Sequence, residues 1–237
     1  MKMIKPNKIQ LPFKKRLLCI SVIFIYASLC LSGEQITFSA DSMSGKAGSK
    51  SDTTTLTGTA YVKTESMEIS ADTIELSGDN FRSIHAEGNV TGKDTDSGMT
   101  FTCSTLEYDR TTKIASLKNT VHMEDSKNDI EAEAQKMEYN QAEDIAVLQI
   151  EVSLKQKNNV CTCAHAIYRK KEQTLEMNGN PQVVQGDDTF RAQTILLNLT
   201  TQELSMDGRV SGSIQTDSGD SGGKKGDTTA KTGTEHD

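Results

Sequence analysis

Six segments of this chain open in the same way, at a nearly constant spacing of about thirty residues. They start at Ile36 (ITFSADSM), Met67 (MEISADTI), Met99 (MTFTCSTL), Ile130 (IEAEAQKM), Val160 (VCTCAHAI) and Phe190 (FRAQTILL). A fixed period of this length marks stacked units, because one such unit cannot bury an apolar face alone. It also argues against an enzyme. Catalytic sites are built from one-off residues, and most of this chain repeats one pattern.

Within a unit the apolar residues fall at offsets 0, 2 and 4, then at 7. The units give Ile36, Phe38, Ala40 and Met43; Met67, Ile69, Ala71 and Ile74; Met99, Phe101, Cys103 and Leu106; and Ile130, Ala132, Ala134 and Met137. The fifth reads Val160, Thr162, Ala164 and Ile167, and the sixth Phe190, Ala192, Thr194 and Leu197. Alternation of period two predicts a strand with one buried face. The step from offset 4 to offset 7 would flip that face in a straight strand. A slip repeated in every unit therefore predicts a bend or bulge near offset 5 or 6. Leu76, Tyr108, Tyr139 and Leu199 add an apolar position at offset 9.

The second half of each unit is a further strand, set off by polar turns such as Ser77 to Asn80 and Asp109 to Thr112. It carries phrases such as Ala86-Glu87-Gly88-Asn89-Val90, Met177-Asn178-Gly179-Asn180-Pro181 and Met206-Asp207-Gly208-Arg209-Val210. The third unit (Leu117 to Val121) and fourth (Leu148 to Val152) keep the strand without the Gly. Asp129 to Glu138 has good helix formers, but Ile130, Ala132 and Ala134 hold the strand register, so the expectation is all-β throughout.

The ends read differently. Lys2, Lys5, Lys8, Lys14, Lys15 and Arg16 precede an apolar run from Leu17 to Leu31. The run falls short of the roughly 20 apolar residues of a membrane span. That suits a signal peptide over residues 1–33, or an uncleaved N-terminal anchor, since the candidate cleavage sites around Ser32 are poor. Without those six cations, residues 34–237 carry 20 basic against 33 acidic residues, a net of −13. Such a surface repels nucleic acid, whose binding rests on phosphate neutralisation. Residues 215–237 are almost wholly Gly, Ser, Thr and charge, and are expected to be a disordered polar tail. That leaves residues 34–214 as one folded body.

Two architectures suit bent strands at constant period: a β-solenoid with a dry core, or an open antiparallel jellyroll with a slot between two sheets. The small residue at offset 4 fits either a smooth apolar slot or a tight corner. The phrases Ile36-Thr37-Phe38-Ser39-Ala40-Asp41, Met67-Glu68-Ile69-Ser70-Ala71-Asp72 and Ala86-Glu87-Gly88-Asn89-Val90 resemble the repeat of the LptA/OstA-like lipopolysaccharide-transport family. The resemblance implies an open antiparallel β-jellyroll of about six units, exported to the periplasm. It implies a groove for the acyl chains of lipopolysaccharide or a related glycolipid, and end-to-end strand addition to other jellyroll transport proteins or to copies of itself. An LptC-like, membrane-tethered component of the same pathway is one alternative, and a non-enzymatic structural β-solenoid is the other. The groove would be lined by the offset residues named above: Ile36, Phe38, Ala40, Met43, Met67, Ile69, Ala71, Ile74, Met99, Phe101, Cys103, Leu106, Ile130, Ala132, Ala134, Met137, Val160, Ala164, Ile167, Phe190, Ala192 and Leu197. Asp follows the small residue only at Asp41 and Asp72; later units place Ser104, Gln135, His165 and Ile195 there.

No catalytic residue is expected. His85, His122, His165 and His236 lie in different units or in the tail, and no nucleophile–base spacing or phosphate loop appears. Cys161, Cys163 and His165 invite a metal reading, but zinc sites pair such ligands with a second set, and none exists here. These residues read as small side chains filling strand positions. An odd count of cysteines after the leader (Cys103, Cys161, Cys163) argues against a disulfide framework. No metal and no cofactor are expected.

Overall fold

The computed structural model describes residues 35–45 and 53–215. The expected leader and the expected tail beyond Gln215 lie outside the described residues. From Thr37 onward the chain forms one antiparallel sheet of sixteen strands among the described residues, with a single helical turn at Asp79–Phe81. The long strands are β3 (Thr54–Lys63), β4 (Met67–Ser77), β5 (Ser83–Asp94), β6 (Thr100–Asp109), β7 (Ile114–Asp125), β8 (Ile130–Asn140), β9 (Ile145–Gln156) and β10 (Asn159–Arg169). Each pairs with the next. Of the helix-prone stretch Asp129 to Glu138, all but Asp129, which ends the preceding turn, lies in strand β8, as the repeat register requires.

Every long strand bends once. The pairing slips between Thr57 and Ala60, Ser70 and Thr73, Glu87 and Val90, Thr102 and Thr105, Lys118 and Val121, Glu133 and Lys136, and Cys163 and His165. These slips fall at the predicted corner and divide the sheet into two limbs. The first limb holds residues such as Met67–Ala71 and Val90–Asp94; the second holds Thr73–Ser77 and Ser83–Glu87. At each end of the sheet the limbs separate into short strands. β1 (Thr37–Ser39) and β2 (Ser42–Gly45) both pair with β3. At the other end β12 (Gln182–Gln185), β13 (Asp188–Arg191) and β16 (Ser211–Ser213) continue the first limb. There β11 (Thr174–Asn178), β14 (Thr194–Asn198) and β15 (Leu204–Asp207) continue the second.

The corner is asymmetric, and that asymmetry keeps one interior. Outgoing strands such as β4 step three positions between inward side chains, from Ala71 to Ile74. Returning strands such as β5 step four, from Ala86 to Val90. The extra residue is absorbed by two consecutive left-handed residues: Gly58-Thr59, Gly88-Asn89, Asn119-Thr120, Ile150-Glu151, Gly179-Asn180 and Gly208-Arg209. The glycine serves two ends. It takes the positive φ without a Cβ clash, and it makes room for the residue across the corner. A Cβ on Gly88 would collide with the carboxylate of Asp72, which accepts a hydrogen bond from Asn89 Nδ2 at 2.9 Å. Asp41 stands over Gly58 in the same way. The Ala-Asp and Gly-Asn phrases are thus two halves of one corner.

The third and fourth units lose both halves together. Ser104 hydrogen-bonds to the Asn119 carbonyl (3.3 Å), and Gln135 reaches Glu151 (3.1 Å), yet the backbone keeps its left-handed pair. Ile150, with φ 67°, is the costly case, because a β-branched side chain is rarely tolerated there. It is 57% exposed, so no packing is lost by replacing it. Ile150→Asn should therefore stabilise the fold by about 1 kcal/mol, the scale of the left-handed penalty relieved. Gly88→Ala should destabilise it by at least as much. Urea denaturation of the two variants beside the parent checks both signs.

Candidate functional site

Two rows of inward side chains run through the sheet from edge to edge. On the first limb, paired neighbours are Phe38, Val62, Ile69, Gly92, Phe101, Met123, Ala132, Leu154, Cys161, Val183, Phe190 and Gly212. On the second limb they are Met43, Leu56, Ile74, Ala86, Leu106, Leu117, Met137, Leu148, Ala166, Met177, Ile195 and Met206. Gly92 leaves the space its neighbour Phe101 fills, since a Cβ there would overlap that ring. Between the rows, at the corner, lie Ala60, Ala71, Val90, Cys103, Val121, Ala134 and Val152. Small side chains let the sheet fold sharply at that line.

The residues expected on the inner face sort by position. Met67, Ile69, Ala71, Ile74, Met99, Phe101, Cys103, Leu106, Ile130, Ala132, Ala134, Met137 and Leu197 are buried. Phe38 and Met43 belong to the two rows but are 47% and 52% exposed, because β1 and β2 lie at the edge. Ile36, Ala40, Phe190 and Ala192 are half-buried. The fifth unit is corrected. Val160 is 40% exposed, Ala164 is exposed and Ile167 is half-buried, whereas Cys161, Ala166 and Tyr168 are buried. The alternation of Val160, Thr162 and Ala164 follows the outer face of β10, and the unit begins at Asn159. The sixth begins at Asp188, two positions earlier than read, because Ile195 and not Leu197 pairs in the row with Met177. In this register the offset-4 residues become Cys163 and Ala192, and the corner residues opposite Gly179 and Gly208 become Ala164 and Gln193. His165 and Ile195 lose the place given them.

The cysteines pack as small apolar residues. The three among the described residues are free, and burial pushes Cys103 and Cys163 up to about 11 and Cys161 up to about 12. Protonated thiols at neutral pH are poor nucleophiles and poor ligands. Among the described residues no group of His, Cys, Asp and Glu is placed to hold a metal ion.

Every polar residue buried in the described structure lies at a strand end or in a turn: Thr54, Thr64, Ser66, Asp94, Ser97, Asp125, Gln141, Gln156 and Asn159. Most of them join the rim of one limb to the rim of the other. Ser66 donates to Gln141 Oε1 (3.2 Å), Gln141 Nε2 donates to the Ser66 carbonyl (2.8 Å), and Tyr108 donates to Gln141 (2.9 Å). The Tyr139 hydroxyl donates to Asp94 Oδ2 at 2.6 Å, while Asp94 Oδ1 accepts the amides of Asp96 (2.8 Å) and Ser97 (3.0 Å). Tyr168 donates to Asp125 Oδ2 (2.8 Å), which also takes Asn128 Nδ2 (2.8 Å) and Lys170 Nζ (3.0 Å). Gln156 donates to the Leu199 carbonyl (3.3 Å), and Asn159 to Gln202 (2.5 Å). These bridges form a seam opposite the corner, and the two limbs close on each other along it.

The sequence reading missed the seam, although its signal is periodic. Asp94-x-x-Ser97, Asp125-x-x-Asn128 and Gln156-x-x-Asn159 recur once per unit in turns that look merely polar. Tyr139 and Tyr168 take apolar positions at the end of a buried row, and a buried Tyr needs a partner for its hydroxyl.

Burial alone would raise the Asp94 carboxyl. Its hydrogen bonds from Tyr139, Ser97 and Asp96 outweigh that and hold it below the usual carboxylate range. Asp125 is likewise raised by burial, and more than compensated by Asn128, Lys170 and Tyr168. Burial and the adjacent carboxylates push both tyrosines up. Carboxyls depressed in the fold bind fewer protons than in the unfolded chain, so stability rises with pH across their titration. Folding stability should be fully present above about pH 4, the ordinary carboxylate value, and fall as pH drops through the lower folded values. Asp94→Asn/Asp125→Asn should flatten that acid limb in urea titrations run from about pH 7 to about pH 2, a range that spans the carboxylate transition.

Compared with known proteins, residues 37–174 match the family described as "LptA/(LptD N-terminal domain) LPS transport protein". Among solved structures the chain is similar to LptH, titled the LptA homologous periplasmic component of the conserved lipopolysaccharide transport device from Pseudomonas aeruginosa. The identity is 13%, the TM-score 0.24, and the match covers 77% of this chain and 96% of that one. No curated protein matches the chain.

Proposed function

The chain belongs to the LptA/LptD N-terminal domain family of LPS transport proteins, and from that premise we propose that it is a non-catalytic periplasmic carrier. It shields the acyl chains of lipopolysaccharide, or of a glycolipid of the same build, on their way between two membranes. The observation that carries this reading is the pair of apolar rows that run unbroken through every long strand and end at the two open edges. An acyl chain crossing water exposes apolar surface at about 0.8 kcal/mol per methylene. A continuous apolar channel removes that cost at each step, where isolated pockets would only trap the chain.

The two edges support assembly. β1 and β2 at one end, and β15 and β16 at the other, have no further strand beyond them among the described residues. Exposed edges invite strand addition, and addition here would extend both rows into the next molecule. Partners of the same build, or further copies of this chain, fit that role. No helix among the described residues is long and apolar enough to cross a membrane.

A photo-crosslinking residue placed at Ile69, Phe101 or Ile130, all at most 2% exposed, should capture acyl chains when the protein is expressed in a lipopolysaccharide-producing cell. The same group at Glu68 or Thr102, on the outer face, should capture none. Capture confined to the outer positions would sink the proposal.

A further inference from the structure

We propose that Met43 and Met206 are oxidation sites that govern end-to-end joining. A peroxide converts their thioethers to sulfoxides, and the sulfoxides break the apolar row where one copy of the chain meets the next. The inference rests on the end-to-end assembly read above and adds a covalent modification that controls it.

Three observations carry it. First, the methionines of the described residues divide sharply by exposure. Met67, Met99, Met123, Met137 and Met177 are fully buried, whereas Met43 is 52% exposed and Met206 is half-buried. Second, the two that reach solvent are the two ends of one row. Met43 pairs with Leu56 and Met206 with Ile195, both buried inward residues, so each thioether faces the interior at an open edge. Each limb has an even number of strands: one short strand, the eight long ones, and three short ones. A second copy added in the same orientation therefore continues the antiparallel alternation, with its β2 beside β15 and its β1 beside β16. The lengths match, four residues against four and three against three. Both thioethers then fall in the same joint. Third, the row does not need sulfur at these places. Equivalent positions hold Ile74 and Leu106 on outgoing strands, and Leu56, Leu117 and Leu148 on returning ones. What the sulfur adds is a flexible reach and reactivity toward oxidants.

The step is an oxygen transfer from hydrogen peroxide. The sulfur lone pair takes one oxygen, the O–O bond breaks, and the other oxygen leaves as water with both protons. Sulfur is oxidised and the peroxide reduced by the same electron pair. The product is a polar, chiral sulfoxide. Its oxygen accepts hydrogen bonds and meets no donor in an apolar row, so burying it in the joint is unfavourable. The five inner thioethers are shielded while the sheet stays folded, so the edges respond and the body stays intact.

The test exposes the full chain to hydrogen peroxide and maps the sulfoxides by tandem mass spectrometry. Met43 and Met206 should oxidise at least about tenfold faster than the five buried methionines, since susceptibility follows exposure. Sedimentation velocity then follows association. The oxidised chain should need about tenfold more protein to associate than the parent, the effect of burying a polar group without a partner. Met43→Leu/Met206→Leu should associate like the parent and keep doing so after peroxide treatment, because its remaining methionines and its thiols are the same. Methionine sulfoxide reductases should return the oxidised parent to its starting association. Uniform oxidation of buried and exposed methionines in the folded chain overturns the proposal. So does an oxidised parent that associates as before, or a leucine variant that loses association on oxidation as the parent does. A parent that stays monomeric at every concentration overturns the end-to-end joining of copies itself, and is told apart because it shows before any peroxide is added.

Discussion

The fold depends on a mismatch of one residue at the corner. A strand that bends while keeping the same interior must break its alternation, and the two strands of each hairpin break it differently. Outgoing strands step by three and returning strands by four. The fourth residue fits only if two consecutive residues take left-handed conformations, which is why Gly-Asn, Gly-Thr and Gly-Arg stand there. This mismatch creates the two limbs. It also places Asp72 over Gly88 and Asp41 over Gly58, and aligns Ala71, Cys103 and Ala134 along one crease. Remove the slip and the side chains beyond it would turn to solvent, leaving a flat sheet with one greasy half on each face.

Much of this is legible from the residues. The jump from offset 4 to offset 7 locates the corner, and the burial of Met67, Ile69, Ala71 and Ile74 follows from alternation alone. The strand from Ile130 is legible against the helix propensity of its residues, because periodicity outweighs propensity when an inner face must be filled. The register of the fifth unit is not. Val160, Thr162 and Ala164 alternate as plausibly as Cys161 and Cys163 do. What decides is downstream: Tyr168 and Leu175 must share a row, and that forces Asn159 to the start. A buried Asn at the head of an apolar row looks wrong until its bridge to Gln202 is seen.

The seam is illegible for a different reason. Sequence patterns report which face of one strand is buried, not which turn meets which across an enclosed space. Asp94 and Tyr139 are 45 residues apart, and Asp125 and Tyr168 are 43 apart. Each bridge thus joins one hairpin to the rim of a strand well beyond its neighbour. That skew follows from strand twist, which no local pattern encodes. The periodic Asp and Tyr positions are visible in the chain, but only the closed geometry gives them to each other.

The two directions of this molecule are held by different forces. Along the sheet, backbone ladders and two apolar rows add stability with every strand. Across the mouth, buried charge and hydroxyl groups meet, and such pairs contribute little beyond the cost of drying them. An apolar closure would have been the stronger choice: leucines in place of Asp94 and Asp125 would seal the limbs into an ordinary core. Polar rims leave the hydrophobic stability in the ladder direction, where it holds the limbs, and leave the contact between the rims to side-chain hydrogen bonds of small net worth.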